Sequence, residues 1–234
     1  PTAIREYKQA GSGYEYLPAQ ARIASLLVEE GRVGEARTYL EGERGENPDR
    51  FVQLVILEAQ LLMERGMDGP VLDLLDRGVN HEPDNIDLLY FRGMTGEKLG
   101  RLDILERDLK DIITRDPNNA DALNALGYTL ADRTERHTEA LDLIQRALHI
   151  KPNEAAFIDS LGWVMYRLEQ FDQAILNLRR ALALFQNDEV AAHLGEVLWV
   201  VGDTLEANKV WHEALDLKPD SEVLKKVIER FTRP

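Results

Sequence analysis

Apolar side chains recur at intervals of three and four residues in a series of short segments, a spacing that predicts amphipathic helices. Two consecutive stretches, residues 120–152 and 155–187, carry the same order of large apolar, small and polar positions. The matching positions are Leu126 and Leu161, Gly127 and Gly162, Ala140 and Ala174, and Ala147 and Ala181. A pattern that repeats with a period near 34 residues is typical of stacked helix-turn-helix units.

The recurring elements are a Leu-Gly pair, an A-x3-L/I-x2-A run and a closing Lys-Pro, and they resemble the tetratricopeptide repeat (TPR) family. The resemblance implies an all-α fold, a right-handed superhelical solenoid of antiparallel helix pairs whose first helices line the concave face. It also implies that the chain binds other proteins. Because one helix pair cannot bury its apolar stripe alone, we interpret the shared Gly and Ala positions as sites where neighbouring helices approach closely.

The same pattern divides the chain into repeats. The predicted segments are a partial repeat (second helix only) with a turn at 1–16, TPR units at 17–50, 51–84, 85–118, 119–153, 154–187 and 188–220, and a capping helix at 221–234. Ala3 and Tyr7 fit the second-helix pattern, so we interpret the N-terminal end as cut from a longer protein and the C-terminal end as natural. In the third repeat Leu105 and Ile112 replace the small alanines, which predicts wider or shifted helix packing.

The charge of the chain narrows its class of partner. With 28 Lys and Arg against 42 Asp and Glu, the formal net charge is -14, which argues against nucleic acid and against an anionic membrane surface. A basic or largely apolar partner is favoured. The alternative interpretation is that the excess carboxylates only keep an extended surface soluble. The chain has no Cys, which excludes disulfides and thiol catalysis.

Large aromatic side chains recur on the predicted first helices at fixed offsets from the glycines, so we expect five of them to share one concave groove. These five are Tyr90, Tyr128, Trp163, Tyr166 and Trp199. Aromatic side chains that point into a groove are typical anchors of a recognition surface. The alternative is that some of them pack between helices, Tyr166 and Trp199 above all. Asn124, Asp159 and Arg167 lie on the same helices and complete the predicted protein-binding set.

Acidic residues outnumber basic ones on these first helices, and Lys98 and Arg167 are the basic residues that we expect to face the groove. The groove should therefore prefer an extended segment with apolar and basic side chains. Some TPR domains bind a C-terminal carboxylate through repeated Lys, Arg and Asn on this face. Here only Asn124, Lys98 and Arg167 match that set, so a carboxylate clamp is not predicted.

The sequence lacks the motifs of common enzyme and metal sites. Its five histidines stand singly, and there is no HExxH, no nucleophile signature, no phosphate-binding loop and no Gly-rich dinucleotide motif. We therefore predict a non-catalytic protein with no cofactor and no metal.

Residues 123–182 also resemble the C-terminal repeats of large bacterial TPR lipoproteins of the outer membrane, among them adaptors of a periplasmic carboxyl-terminal processing protease. This resemblance implies a scaffold on the periplasmic side of the outer membrane that delivers cell-wall hydrolases to the protease. It also implies that the lipidated N-terminus is absent from this fragment, which should be soluble. The alternative is a structural TPR component of a secretion, pilus or cell-envelope machine that acts through its convex face or its ends, with self-association possible at the open N-terminal end.

Overall fold

The computed structural model describes residues 16–232, and within that range it contains thirteen α-helices, one short 3-10 helix at Pro48–Arg50 and no strand. The helices are α1 (Tyr16–Glu29), α2 (Val33–Glu46), α3 (Phe51–Glu64), α4 (Asp68–His81), α5 (Ile86–Lys98), α6 (Leu102–Arg115), α7 (Ala120–Arg133), α8 (His137–Ile150), α9 (Ala155–Arg167), α10 (Phe171–Leu184), α11 (Asp188–Val200), α12 (Thr204–Leu217) and α13 (Glu222–Thr232). The prediction of a partial repeat carrying Ala3 and Tyr7 lies outside the described residues, while Tyr16 already belongs to α1.

The described helices form two compact units, residues 16–111 and 112–232, whose boundary falls within α6. In each unit consecutive helices pair across a tight turn, as α3 does with α4 and α9 does with α10. First helices also contact the first helix of the next pair, as α7 does with α9. The all-α fold of stacked helix pairs is therefore confirmed, and the exact repeat boundaries stay a prediction.

Glycine at one shared position sets how closely the two helices of a pair approach. A β-carbon on Gly162 would lie 2.6 Å from Cγ of Leu178 on the paired helix, a distance that no real side chain tolerates. At Gly93 the nearest atoms would lie 3.6 Å away, among them Cα of Leu105. In this repeat the tight contact falls at Gly96, where a β-carbon would lie 2.9 Å from Cβ of Ile104. The close approach is therefore shifted along the helix, one of the two outcomes predicted from Leu105 and Ile112.

Five of the six turns inside the described helix pairs contain a residue with a left-handed backbone. Gly31, Gly66, Gly100 and Gly202 have positive φ angles there. In the fifth pair the same conformation falls on Glu169, with φ of 59°. A side chain in this region is strained relative to glycine, and the sequence pattern does not identify Glu169 as a turn residue.

The C-terminal helix α13 caps the second unit. The hydroxyl of Ser221 accepts a hydrogen bond from the backbone N–H of Leu224 and so caps the start of the helix. Leu224 and Val227 pack into a buried cluster with Trp211, whereas Lys225 and Lys226 face solvent. The helix therefore covers the apolar end of the last repeat.

The first unit contains buried ion pairs. Glu58, only 2% exposed, accepts hydrogen bonds from Arg37 and Arg44. Arg92 donates to both carboxylate oxygens of Asp108 at 2.7 and 2.9 Å. Glu58 and Arg92 precede the small residue of their helices, a position that holds leucine in the three repeats of the second unit: Leu126, Leu161 and Leu194. The first unit thus joins its helices partly through charge.

Candidate functional site

Three of the predicted aromatic residues meet in the second unit, together with a histidine. The rings of Trp163 and His193 stack with centroids 4.3 Å apart, and Tyr166 lies 5.1 Å from Trp163 on its own helix. Tyr128 lies 6.1 Å from His193. These residues come from α7, α9 and α11, so one cluster spans the first helices of three successive pairs. We call Tyr128, Asp159, Trp163, Tyr166 and His193 the aromatic groove.

Polar contacts fix the aromatic rings in place. The indole Nε1 of Trp163 donates to Oδ1 of Asp132 at 3.2 Å, and Arg167 donates to the backbone carbonyl of Asp132 at 3.1 Å. Tyr166 donates its hydroxyl to Glu196 at 3.3 Å, and Glu196 forms an ion pair with Arg230. Consecutive first helices are therefore tied by hydrogen bonds on the face that carries the aromatic rings.

His193 is held by the carboxylate of Asp159. Its Nδ1 lies 3.0 and 3.1 Å from the two carboxylate oxygens, which makes Nδ1 the protonated nitrogen because an ionised carboxylate only accepts. Burial acts to lower the pKa of His193, but the charge and hydrogen bond of Asp159, helped by Glu196 and Glu189, outweigh it and raise that pKa. Burial, with Asp132 and Asp159, also raises the pKa of the Tyr128 hydroxyl. The groove is therefore an environment of negative potential.

Sequence reasoning did not identify His193 and treated it as one of several isolated histidines. The equivalent positions, two residues before the small residue, hold Ala125 and Ser160 in the other repeats of the second unit but Leu57 and Phe91 in the first unit. The sequence therefore does not single out His193 by residue size. In this chain His193 joins Trp163 and Asp159.

The raised pKa of His193 gives a prediction for stability. A group whose pKa is raised on folding stabilises the folded state fully below its unfolded pKa of about 6.5, and that contribution is lost as the pH rises through the folded pKa. Urea unfolding should therefore show a smaller free energy of unfolding at about pH 9 than at about pH 6, with the difference reduced in His193→Gln. His212→Gln, at an exposed histidine, should keep the wild-type difference. Equal pH dependence in both variants would contradict the prediction.

The predicted site residues differ in exposure. Trp163 is only 6% exposed and Asp159 only 8%, so Trp163 forms the wall of the groove and is not the open anchor that we expected. Tyr128, Tyr166 and Arg167 are partly exposed. Tyr166 packs on the buried ring of Trp163, and the buried Asp159 holds His193.

Asn124 lies one helical turn before Tyr128 on α7. Its side-chain oxygen is buried and accepts no hydrogen bond from the described residues. A buried acceptor without a partner costs free energy, so this oxygen is a local weak point of α7.

Two other predicted residues lie elsewhere. The ring of Trp199 stacks on Trp211 at 5.7 Å and lies 6.1 Å from Phe231, which favours the interpretation that it packs between helices. Tyr90 lies on α5 in the first unit and is partly buried. Trp199 and Tyr90 therefore do not belong to the aromatic groove of the second unit. The binding role of the predicted residues stays a prediction.

Neither a metal site nor a membrane-spanning helix occurs within residues 16–232. In that range no group of three or more His, Asp or Glu side chains is arranged to hold a metal ion. None of the helices described there combines the length and the apolar character that crossing a bilayer requires.

Comparison with known proteins gives one relative over nearly the whole chain. The TPR repeat-containing protein PA4667 of Pseudomonas aeruginosa is 44% identical over 230 residues, which are 98% of this chain and 39% of that protein. The chain thus spans about two fifths of the length of this relative.

Solved structures show the same fold. TTC0263, a TPR protein of Thermus thermophilus, superposes with a TM-score of 0.67 at 24% identity over 75% of this chain and 95% of its own. PilW, described as a widely conserved type IV pilus biogenesis factor, gives a TM-score of 0.68 at 13% identity over 92% of this chain and 100% of its own. The family model of the tetratricopeptide repeat matches residues 97–155. The chain is therefore a helical repeat protein with the tetratricopeptide repeat fold, and its central residues match the model of that family.

Proposed function

We propose that the chain is a non-catalytic scaffold that binds an extended segment of a partner protein in the aromatic groove. The observation that carries this proposal is the cluster of Tyr128, Trp163 and His193, which three successive first helices build together. A surface of rigid rings held by hydrogen bonds needs little reordering when a partner binds, so less free energy is lost on association.

The chemistry of the groove defines the segment that it suits. Tyr128 and Tyr166 offer partly exposed rings to apolar side chains. Asp132 and the exposed Glu189 lie on the same first helices and favour Lys or Arg in the segment. A basic and apolar segment also agrees with the net charge of -14.

At a finer level, we propose that the partner is a periplasmic carboxyl-terminal processing protease together with the cell-wall hydrolases that it degrades. The resemblance of residues 123–182 to outer-membrane TPR lipoproteins supports this assignment. In the intact protein the scaffold would then lie on the periplasmic side of the outer membrane and bring the substrates to the protease.

A second candidate function is assembly through the second helices. Between α10 and α12 lies a cavity of about 400 Å3 lined by Phe185 and Leu217, which are 61% and 71% exposed. Phe185 takes the place of the polar residue that ends the second helix in the other repeats, namely Asn47, Glu82, Asp116, Lys151 and Lys218. An exposed phenylalanine at that place favours a contact with another protein. The fold of PilW, a pilus biogenesis factor, is consistent with such a role.

One binding experiment separates the two functions. The affinities of the purified protease and of a cell-wall hydrolase would be measured by surface plasmon resonance for the wild type, for Tyr128→Ala and for Phe185→Ser. Both changed residues are at least partly exposed, so circular dichroism should show equal helix content.

If the aromatic groove binds the partner, Tyr128→Ala should weaken binding roughly tenfold or more, the effect of truncating an anchor residue, and Phe185→Ser should leave it unchanged. The reverse result would favour assembly through the second helices. If the wild type binds neither protein, the protease assignment is wrong. If both variants bind like the wild type, the groove is not the site.

A further inference from the structure

We propose that Arg37, Arg44 and Arg77 form a binding site for a phosphate group on the first unit. They line a cavity of about 240 Å3 together with Gly34, Thr38, Glu41 and Glu58. The site lies on other helices than the aromatic groove and is independent of the function proposed for that groove.

One face of α2 supplies most of the cavity wall. Gly34, Arg37, Thr38, Glu41 and Arg44 follow one another at short intervals, chiefly of three residues, a spacing that places them on the same side of a helix. Helix α4 adds Arg77 from the neighbouring pair. Two helices therefore contribute the three arginines that line the cavity.

Buried Glu58 positions two of the arginines. Its Oε1 accepts from Nε of Arg37 at 2.9 Å, and its Oε2 accepts from Nη1 of Arg44 at 2.6 Å. A guanidinium group carries several more N–H donors than the one that each arginine gives to Glu58. The carboxylate thus fixes two guanidinium groups while most of their donors stay available to a ligand.

Arg77 completes the set of donors. It is exposed and forms no ion pair with any described residue. At the same edge, a β-carbon on Gly34 would meet nothing within 4 Å, so the entrance near α2 is open. Because Arg77 is exposed and the other two arginines are fixed, its side chain can move to contact an anion that has entered the cavity.

The charge of the cavity is opposite to that of the chain. Three arginines face two carboxylates, Glu41 and Glu58, which leaves an excess of one positive charge in a protein of net charge -14. Glu41 is exposed and competes with a bound anion. A phosphate group fits best, because its oxygens point in several directions and can meet three separate guanidinium groups, whereas a carboxylate offers two oxygens in one plane.

Isothermal titration calorimetry of the full chain with inorganic phosphate at low ionic strength tests the site. Saturable binding is expected, and Arg77→Gln should weaken it about tenfold, the effect of losing one charge-assisted hydrogen-bonded partner. Glu41→Gln should instead tighten binding a few-fold, because it removes the competing carboxylate. Arg22→Gln, which removes one positive charge from an exposed position on α1, should bind like the wild type.

Several outcomes would overturn the proposal. These are no saturable binding of phosphate, equal effects of Arg77→Gln and Arg22→Gln, or weaker binding in Glu41→Gln. Acetate that binds as tightly as phosphate would show a general anion site and not a phosphate site. Glycerol phosphate in place of phosphate distinguishes the source, because tighter binding would indicate a phosphoryl group on a larger molecule.

Discussion

Replacement of Arg92 by methionine is expected to lower the free energy of unfolding by about 3 kcal/mol or more, because it leaves a buried carboxylate without its main partner. Asp108 is 1% exposed and accepts two hydrogen bonds from Arg92. After the substitution only Arg107, whose side chain is largely exposed, would still pair with it. Arg92 also binds Asp76 at 2.8 Å, so the change breaks a link between α4, α5 and α6.

Urea unfolding with two signals would measure this effect. All three tryptophans, Trp163, Trp199 and Trp211, lie in the second unit, so far-UV circular dichroism should lose helix before the tryptophan fluorescence changes. Addition of Asp108→Leu to Arg92→Met should recover most of the loss, since an apolar pair of similar size no longer buries a charge.

Arg101→Gln is the matched control. Arg101 and Asp103 form an exposed ion pair, and the loss of such a pair costs about 1 kcal/mol or less. If Arg92→Met destabilises the chain no more than Arg101→Gln does, the buried network does not hold the first unit together.

The helix pairs could be predicted because their signals are local. The spacing of small and apolar residues around Gly162 depends only on which face of α9 meets α10, and that face repeats along the chain. The N-cap of α13 at Ser221 is equally local, since a hydroxyl and an N–H three residues later are enough to form it.

The buried charges of the first unit could not be predicted in the same way. Glu58 and its partners Arg37 and Arg44 are separated by 21 and 14 residues and meet only once the helices are packed in register. A charged residue before the small residue can be either exposed or buried as far as the sequence shows, because it becomes buried only when the preceding helix pair packs over it. Helical periodicity predicts which face of a helix is buried, but not which residue of another helix contacts that face.

The grouping of the aromatic residues could be predicted in part, whereas their role as a binding site stays a prediction. Offsets from the glycines correctly brought Tyr128, Trp163 and Tyr166 together on successive first helices. Which ring is buried depends on the neighbours, however. His193 stacks on one face of the Trp163 ring, and Asp132 accepts a hydrogen bond from the indole N–H. These contacts bury the Trp163 ring, whereas Tyr128 and Tyr166 stay partly exposed.

Replacement of Trp163 by alanine should therefore act mainly on stability. Truncation of a buried tryptophan costs about 3–5 kcal/mol, because it leaves a cavity and here also removes the ring on which His193 stacks. Trp163→Phe keeps an aromatic ring and loses the hydrogen bond to Asp132, so it should cost closer to about 1 kcal/mol from that bond.

Comparison with Tyr128→Ala shows whether Trp163 supports the groove from inside or contacts the partner directly. Thermal unfolding followed by circular dichroism should show a much larger loss for Trp163→Ala than for Tyr128→Ala, because Tyr128 is partly exposed. Partner binding, measured well below the unfolding transition, should depend more on Tyr128. If Trp163→Ala is as stable as the wild type and yet loses the partner, the indole contacts the ligand directly. Trp163 would then have to turn away from His193 when the partner binds, so the stacked rings would be the arrangement of the unbound groove only.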